Sequence, residues 1–378
     1  MTARRFLPVA ALAAAVALTA CGGGGDGGGS GPRATARTSP FLGVTLNAGL
    51  LAMKVDLDRQ MADMHAAGAT TVRVPFYWRE LEPRRGAPRL SGSDRVALAA
   101  ARHELAVLPV VLGTPPWAAA SPAKPNSPPA GTATFAAFMR ILVGRYGPKG
   151  SLWADHPKAL RLPIRDWQIW NEPNHLTYWS DQPFATGYVA LLKAAQRAVK
   201  AADPGARTVL AGFPDRSWDL LGDIYRAGGK GAFDAAAVHP YTAEVGGVLK
   251  IVGLDRAAMR RAGDAGTPLW LTEVTWSSGE GKVRQPFGFE TSKSGQAARL
   301  AEILPKLAGR RKMLGIQRIY WESWATGDRD VANTFDYSGL RTLRPDGTTA
   351  DKPALAAFTR VAKKLSACGH KSLAGVCP

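Results

Sequence analysis

A chain of 378 residues would ordinarily divide into two domains, but α/β barrels of this size fold as one unit, so a single large domain is the default. Its 48 Lys and Arg against 30 Asp and Glu give a formal charge of +18, a balance that suits an acidic polymer or anionic surface. The basic residues form no continuous block or nucleic-acid-binding pattern, so nucleic acid is excluded as a partner and plain abundance of Arg explains the excess better; likewise no metal-ligand spacing links the His and Cys residues and no Gly-rich phosphate loop follows a strand, so neither a metal nor any other cofactor is expected.

At the N-terminus, Arg4 and Arg5 precede the apolar run from Phe6 to Ala20. A membrane span needs about 20 apolar residues, so this shorter run reads as an export signal over residues 1–20. It ends in Leu18-Thr19-Ala20-Cys21, which resembles the bacterial lipoprotein box, where the cysteine takes the lipid and becomes the mature N-terminus. The alternative is an ordinary signal followed by an incidental cysteine. On the lipoprotein reading the chain is extracytoplasmic and its membrane partner is reached through Cys21. Residues 21–40 form a Gly-rich tether whose backbone entropy no core offsets; as a flexible coil it spans on the order of 25 Å.

Eight short apolar runs follow, each of the kind a parallel strand buried on both faces requires: Phe41–Asn47, Thr70–Pro75, Ala106–Leu112, Asp166–Trp170, Arg207–Gly212, Asp234–His239, Pro268–Glu273 and Gly315–Trp321. Helical patterns lie between them. Leu57, Met61 and Met64 recur at helical spacing after the cap Asp56, with Gly68 as a stop. Asp94–Glu104, a stripe of Phe135, Phe138, Leu142 and Tyr146, and segments Phe184–Ala202, Ser217–Ala227, Leu254–Ala262, Ser294–Leu307 and Pro353–Leu365 complete the set. Eight strands alternating with eight helices predict an α/β fold, a single-domain (β/α)8 TIM barrel over residues 41–366. A doubly wound open sheet competes, but the phosphate-type loop it would carry is missing. Long loops at Phe76–Ser93, Gly113–Gly131, Val274–Lys293 and Glu322–Asp351 read as walls or lids. In the tail, residues 367–378, a Cys368–Cys377 disulfide would contribute roughly 2.5 kcal/mol if unstrained; two free thiols are the alternative.

Polar exceptions to the apolar pattern fall at strand ends. Trp170-Asn171-Glu172-Pro173 closes the fourth run and Glu273 the seventh. The two glutamates lie 273 − 172 = 101 positions apart, about three βα units of roughly 30 residues, so a barrel brings both to one face. Paired carboxyls across a cleft are the requirement for cleaving a glycosidic bond.

Around that pair the chain carries, in order, Arg73-Val74-Pro75-Phe76-Tyr77-Trp78 with Glu82-Pro83, Thr114-Pro115-Pro116-Trp117-Ala118, His239-Pro240-Tyr241 and Trp321. With these pieces the sequence resembles glycoside hydrolase clan A, and within it family 39, which includes bacterial exopolysaccharide endoglycosidases. The resemblance implies Glu172 as acid/base and Glu273 as nucleophile of a retaining reaction. It implies that Asn171 meets the sugar 2-hydroxyl, that Arg73 keeps Glu273 ionised, and that His239 and Tyr241 orient the nucleophile or bind sugar. Trp117 and Trp321 are expected to offer apolar faces to the sugar. Each has a plainer reading: a barrel ion pair for Arg73, a core histidine for His239, packing for the aromatics. Glu82 is read as structural, and Glu80, Glu244, Glu280 and Glu290 lack a strand to fix them. The expected activity is hydrolysis of β-glycosidic bonds in a polysaccharide or oligosaccharide by a monomer. A non-catalytic carbohydrate-binding barrel and a transglycosylase are the alternatives.

Overall fold

The computed structural model describes residues 40–368. The expected signal segment, the lipid site Cys21, the tether before Pro40 and the Cys377 half of the expected bridge lie outside them. No helix among the described residues is long and apolar enough to cross a membrane.

Eight parallel strands, β1 (Leu42–Thr45), β2 (Thr71–Tyr77), β3 (Ala106–Leu112), β4 (Asp166–Ile169), β5 (Arg207–Val209), β6 (Ala236–Val238), β7 (Leu269–Val274) and β8 (Ile316–Trp321), form one sheet ordered β5-β4-β3-β2-β1-β8-β7-β6. Its two ends meet, since parallel bridges Val209–Ala235 and Phe213–Val238 join β5 to β6, and His239 N donates to Phe213 O at 2.8 Å. The sheet is therefore a barrel, as the alternation of strands and helices predicts. At this seam the regular strands are shorter than the apolar runs, because the pairing is carried by isolated bridges.

Eight helices cover the outside: Leu57–Ala66, Ser91–Arg102, Thr132–Tyr146, Ala185–Ala202, Ser217–Arg226, Val245–Arg261, Lys293–Gly309 and Pro353–Cys368. The first starts where its cap predicts, with Asp56 Oδ1 accepting from Arg59 N at 3.0 Å, and buries Leu57, Met61 and Met64. Val245–Arg261 begins well before the expected Leu254. Its glycines at 246, 247 and 253 each cost about 1 kcal/mol of helix propensity, yet Val245, Val248 and Val252 bury one apolar stripe that holds it.

Side-chain parity divides the core in two. Residues such as Ile319 and Trp321 face the helices, whereas Leu108, Val209, Ala235, Ala237, Trp270 and Tyr320 fill the barrel interior. Beside them Asp166 accepts from Arg318 at 2.6 Å and Arg207 at 2.7 Å, and the Arg318 guanidinium lies over the Trp270 ring. This paired base leaves the open, chemically free end of the barrel at the strand C-termini.

The segment after β8, expected as a loop, contains a small sheet: β9 (Ala325–Thr326), β10 (Arg341–Leu343) and β11 (Thr349–Asp351). β10 and β11 make an antiparallel hairpin, turned at Gly347 (φ 89°) beside Asp346, whose Oδ1 accepts from Thr348 N at 2.9 Å. Buried Lys352 ties this segment down, donating to Tyr337 O at 2.9 Å and Ser278 Oγ at 3.0 Å and pairing with Asp328 at 3.2 Å. It thereby joins the loops after β7 and β8.

Candidate active site

The period-two alternation of the strands brings polar side chains to the barrel mouth. On β2, Thr71, Arg73, Pro75 and Tyr77 share a face: Thr71 meets the Tyr320 hydroxyl at 3.0 Å deep in the barrel, while Pro75 and Tyr77 line the cleft above. On β7 the alternation is broken by design of the pairing. Leu271 pairs with Ile319 and Val274 with Trp321, so three steps on β7 match two on β8. Such a bulge re-aims a side chain, and both Thr272 and Glu273 turn inward.

Glu273 is held on both oxygens. Arg73 Nη1 donates to Oε1 at 2.6 Å and the Tyr241 hydroxyl donates to Oε2. The same guanidinium donates from Nε to Gln168 Oε1 at 2.8 Å and from Nη2 to Asn171 Oδ1 at 2.6 Å, so each of its three nitrogens has a partner. Burial pushes the Glu273 carboxyl up, but the His239 ring and the Arg73 guanidinium, with the Tyr241 and Arg73 hydrogen bonds, more than offset it, and the net direction is down. Burial and Glu273 raise the Tyr241 hydroxyl well above its usual range, so it stays a donor.

Glu172 sits on the opposite wall. Its Oε1 lies 2.6 Å from His239 Nδ1, and His239 Nε2 lies 3.0 Å from Thr272 Oγ1. The backbone here is left-handed at Trp170 (φ 71°) and Glu172 (φ 39°), a conformation that costs non-glycine residues about 1–3 kcal/mol each and persists only under strong local constraint. That constraint is visible: Trp170 N donates to Val111 O at 2.9 Å, its indole to Tyr178 O at 2.9 Å, and Glu172 N to Gly212 O at 3.2 Å.

One carboxylate oxygen of each glutamate and one His239 nitrogen all lie within 4.8 Å of one another. These three are the residues that could hold a metal ion. Arg73 and Tyr241 already occupy both oxygens of Glu273, however, and a guanidinium at 2.6 Å opposes a second cation.

The cleft beside Glu273 has a volume of about 340 Å³ and is lined by Thr45, Asn47, Arg73, Tyr77, Asn171, Tyr178, Glu322 and Asn333 among others. Of the residues singled out in the sequence, Arg73, Asn171, Glu172, His239, Tyr241 and Glu273 come together here. The two tryptophans do not. Trp321 faces the helix layer with 0% exposure, its indole on Ser338 O at 3.2 Å, so it has no face to offer a sugar. Trp117 packs edge-on against Trp78 and donates to Glu82 O at 2.9 Å, outside the cleft lining. Glu82 accepts from the Trp78 indole at 2.7 Å and Gly86 N at 2.9 Å, a structural role.

Sequence reasoning passed over Glu322, Tyr178, Gln168 and Thr272. Gln168 and Thr272 carried a usable signal, since both are polar residues inside otherwise apolar strands. Glu322 follows Arg318 and Tyr320 on the inward face of β8, so parity again points to it. Burial and then Glu273 push its carboxyl up to about 8, against the pull of Arg73.

No family model matches the chain, and no curated protein matches it. Solved structures share its fold. A family 39 glycoside hydrolase from Bacteroides cellulosilyticus WH2 aligns with TM-score 0.61 at 20% identity, over 86% of this chain and 64% of that one. This chain thus spans less than two thirds of that protein. A GH5_18 variant from Streptomyces cattleya in complex with Manβ1-4GlcNAc aligns with TM-score 0.65 at 18% identity, over 86% of this chain and 81% of that one. A monomeric β-xylosidase from Caulobacter crescentus CB15 aligns with TM-score 0.57 at 17% identity, over 85% and 67%. The barrel read from the sequence is the barrel these structures share.

Proposed function

We propose that this chain is a retaining glycoside hydrolase that cleaves β-glycosidic bonds in a polysaccharide or oligosaccharide, with Glu172 as acid/base and Glu273 as nucleophile. The observation that carries this reading is the unequal treatment of two carboxyls in one cleft. Glu273 is kept anionic by Arg73 and Tyr241, while Glu172 meets an imidazole nitrogen that can accept as well as donate. Their oxygens approach within 4.8 Å, in keeping with the roughly 5–5.5 Å carboxyl separation of retaining enzymes and shorter than the roughly 6.5–9.5 Å that accommodates an attacking water in inverting ones.

On this reading Glu273 attacks the anomeric carbon as Glu172 gives its proton to the departing oxygen. The covalent glycosyl ester is then hydrolysed by a water that Glu172, now ionised, deprotonates. His239 Nδ1, 2.6 Å from Glu172 Oε1, holds the carboxyl in place through both half-reactions. Because Arg73 occupies Asn171 Oδ1, the amide presents its NH2 end, a donor suited to the sugar 2-hydroxyl. The β-linked disaccharide bound by the Streptomyces cattleya protein supports β-linked substrates as the first class to test.

We extend the proposal to location: lipid on Cys21 would hold the enzyme outside the cytoplasm at a membrane. Cys21→Ser protein that is processed yet still sediments with membranes would refute that part. For the activity, a panel of β-linked glycans is digested, with products read by mass and the first-formed anomer by proton NMR. The expected result is cleavage with a β product. An α product overturns retention, and sugar binding without cleavage of any glycan overturns the hydrolase reading.

A further inference from the structure

We infer that Phe287 is a sugar-stacking subsite outside the cleft: its ring takes a pyranose of a chain that overhangs the rim, so the substrate is an extended glycan rather than a single glycoside. The inference rests on the glycosidase reading above and names its substrate class.

Three observations carry it. First, Phe287, on the loop after β7, is 71% exposed, and among the described residues no other aromatic side chain stands so open. Folding alone gives no reason to display it, because a ring left in water contributes little burial. Its display is nevertheless fixed. Glu290 accepts from Phe287 N and Gly288 N, each at 2.8 Å, and Gly288 turns the chain with φ 91°. The Thr334 hydroxyl donates to the same carboxylate from the segment after β8, and Arg284 N donates to Val331 O at 2.8 Å, so two loops brace the ring. Second, the ring is continuous with the Glu273 wall. Phe287 stacks on Phe289 with centroids 6.3 Å apart and planes at 21°. Phe289 stacks in turn on Tyr241 at 5.3 Å and 16°, and the Tyr241 hydroxyl donates to Glu273. Phe335 closes the patch, 6.2 Å from Phe287 and 5.2 Å from Tyr241. Third, the patch has a polar neighbour at the rim. Asn333 lines the cleft, and its Oδ1 accepts from Phe335 N at 3.0 Å, which leaves its NH2 end to donate to a sugar hydroxyl. An apolar ring beside an amide donor matches a pyranose, which has an apolar C–H face and hydroxyls around its edge. The cleft itself, at about 340 Å³, is near the low end of the roughly 300–1,000 Å³ of ligand sites, so a chain of sugars must overhang it.

The test uses the glycan cleaved in the panel above, as β-linked oligosaccharides of increasing length, against an aryl β-glycoside of the same sugar. Wild-type, Phe287→Ala and Phe287→Trp proteins are compared by the ratio of kcat/KM for the longest oligosaccharide to kcat/KM for the aryl glycoside. In wild type the oligosaccharide kcat/KM should rise with chain length. In Phe287→Ala the ratio should fall about tenfold, the size of one lost aromatic contact, chiefly through KM, and Phe287→Trp should keep it. An unmoved ratio in Phe287→Ala would overturn the assignment, as would an equal loss on both substrates, which would make the ring a support of the site rather than a contact to sugar. An unmoved ratio accompanied by lost binding to vesicles of phosphatidylglycerol and phosphatidylethanolamine would assign the ring to a membrane surface and overturn it as well. Should wild type turn over nothing, the hydrolase reading fails, and the same oligosaccharides are titrated as ligands by calorimetry. Binding that strengthens with chain length and is weakened by Phe287→Ala then sustains the subsite; binding that is absent or indifferent to the substitution overturns it.

Discussion

Gly212, just beyond β5, comes so close to the imidazole of His239 that a β-carbon at position 212 would overlap its Nε2. The glycine is needed for space, because only its missing side chain lets the ring sit between Glu172 and Thr272. Gly212→Ala should therefore displace His239 and, through it, Glu172. Misplacement of a catalytic group by about 1 Å costs on the order of 10²-fold, and a loss of that size in kcat/KM is expected with the far-ultraviolet circular dichroism unchanged. Wild-type kcat/KM in a folded Gly212→Ala protein would mean that His239 does not position the acid.

Arg73 should set the acid limb of the pH profile. On the proposed mechanism Glu273 must be ionised to attack, and its carboxyl is held down against burial by His239 and by Arg73. Removing the guanidinium in Arg73→Met raises the Glu273 pKa, so the acid limb of kcat/KM moves to higher pH. The sign for stability follows. A depressed carboxyl contributes stability above its unfolded pKa that is lost as pH falls through the folded value, so Arg73→Met should lose stability chiefly above about pH 5. Arg73→Lys should restore the limb without restoring kcat, because one ammonium cannot also orient Gln168 and Asn171. A limb that stays in place in Arg73→Met would show that other groups keep Glu273 ionised.

Lys352 should matter to stability out of proportion to its distance from Glu172 and Glu273. Its side chain is 1% exposed, and it pairs with Asp328, itself 8% exposed. Lys352→Met leaves that carboxylate buried without its cation, a change that typically costs about 3–5 kcal/mol. A urea midpoint shift of less than half the corresponding size would mean that water reaches Asp328 and replaces the ammonium.

Most of the architecture was legible because it follows from local patterns: apolar strands, the Asp56 cap, glycine stops. The pair Glu172 and Glu273 stood out for the same reason, as charges ending apolar runs. What escaped depends on register. Trp321 and Glu322 are neighbours, and which of them enters the cleft is decided by how β8 pairs with β1, where Val44 meets Trp321. The bulge that turns Thr272 and Glu273 inward together likewise exists only in the pairing of β7 with β8. The glycines at 246, 247 and 253 hide the first half of the helix Val245–Arg261, and the three-residue strands β10 and β11 are too short to show a period within what reads as a loop.

The division of labour proposed for Glu172 and Glu273 gives the sharpest test. Glu273→Ala should abolish turnover of every substrate, since no other carboxyl is held on β7 facing the Glu172 wall. Glu172→Ala should depend on the leaving group. An activated aryl glycoside departs without a proton, so its first step survives, whereas substrates that need acid help should slow by on the order of 10²-fold or more. Added azide should then speed release of the glycosyl ester and yield a β-glycosyl azide, because it needs no base to attack. Glu322 lines the same cleft as Glu273, and the same assay tells it from the acid/base: azide rescue belongs to the residue whose loss leaves the ester stranded. Rescue in Glu322→Ala rather than Glu172→Ala would move the acid/base role to the end of β8.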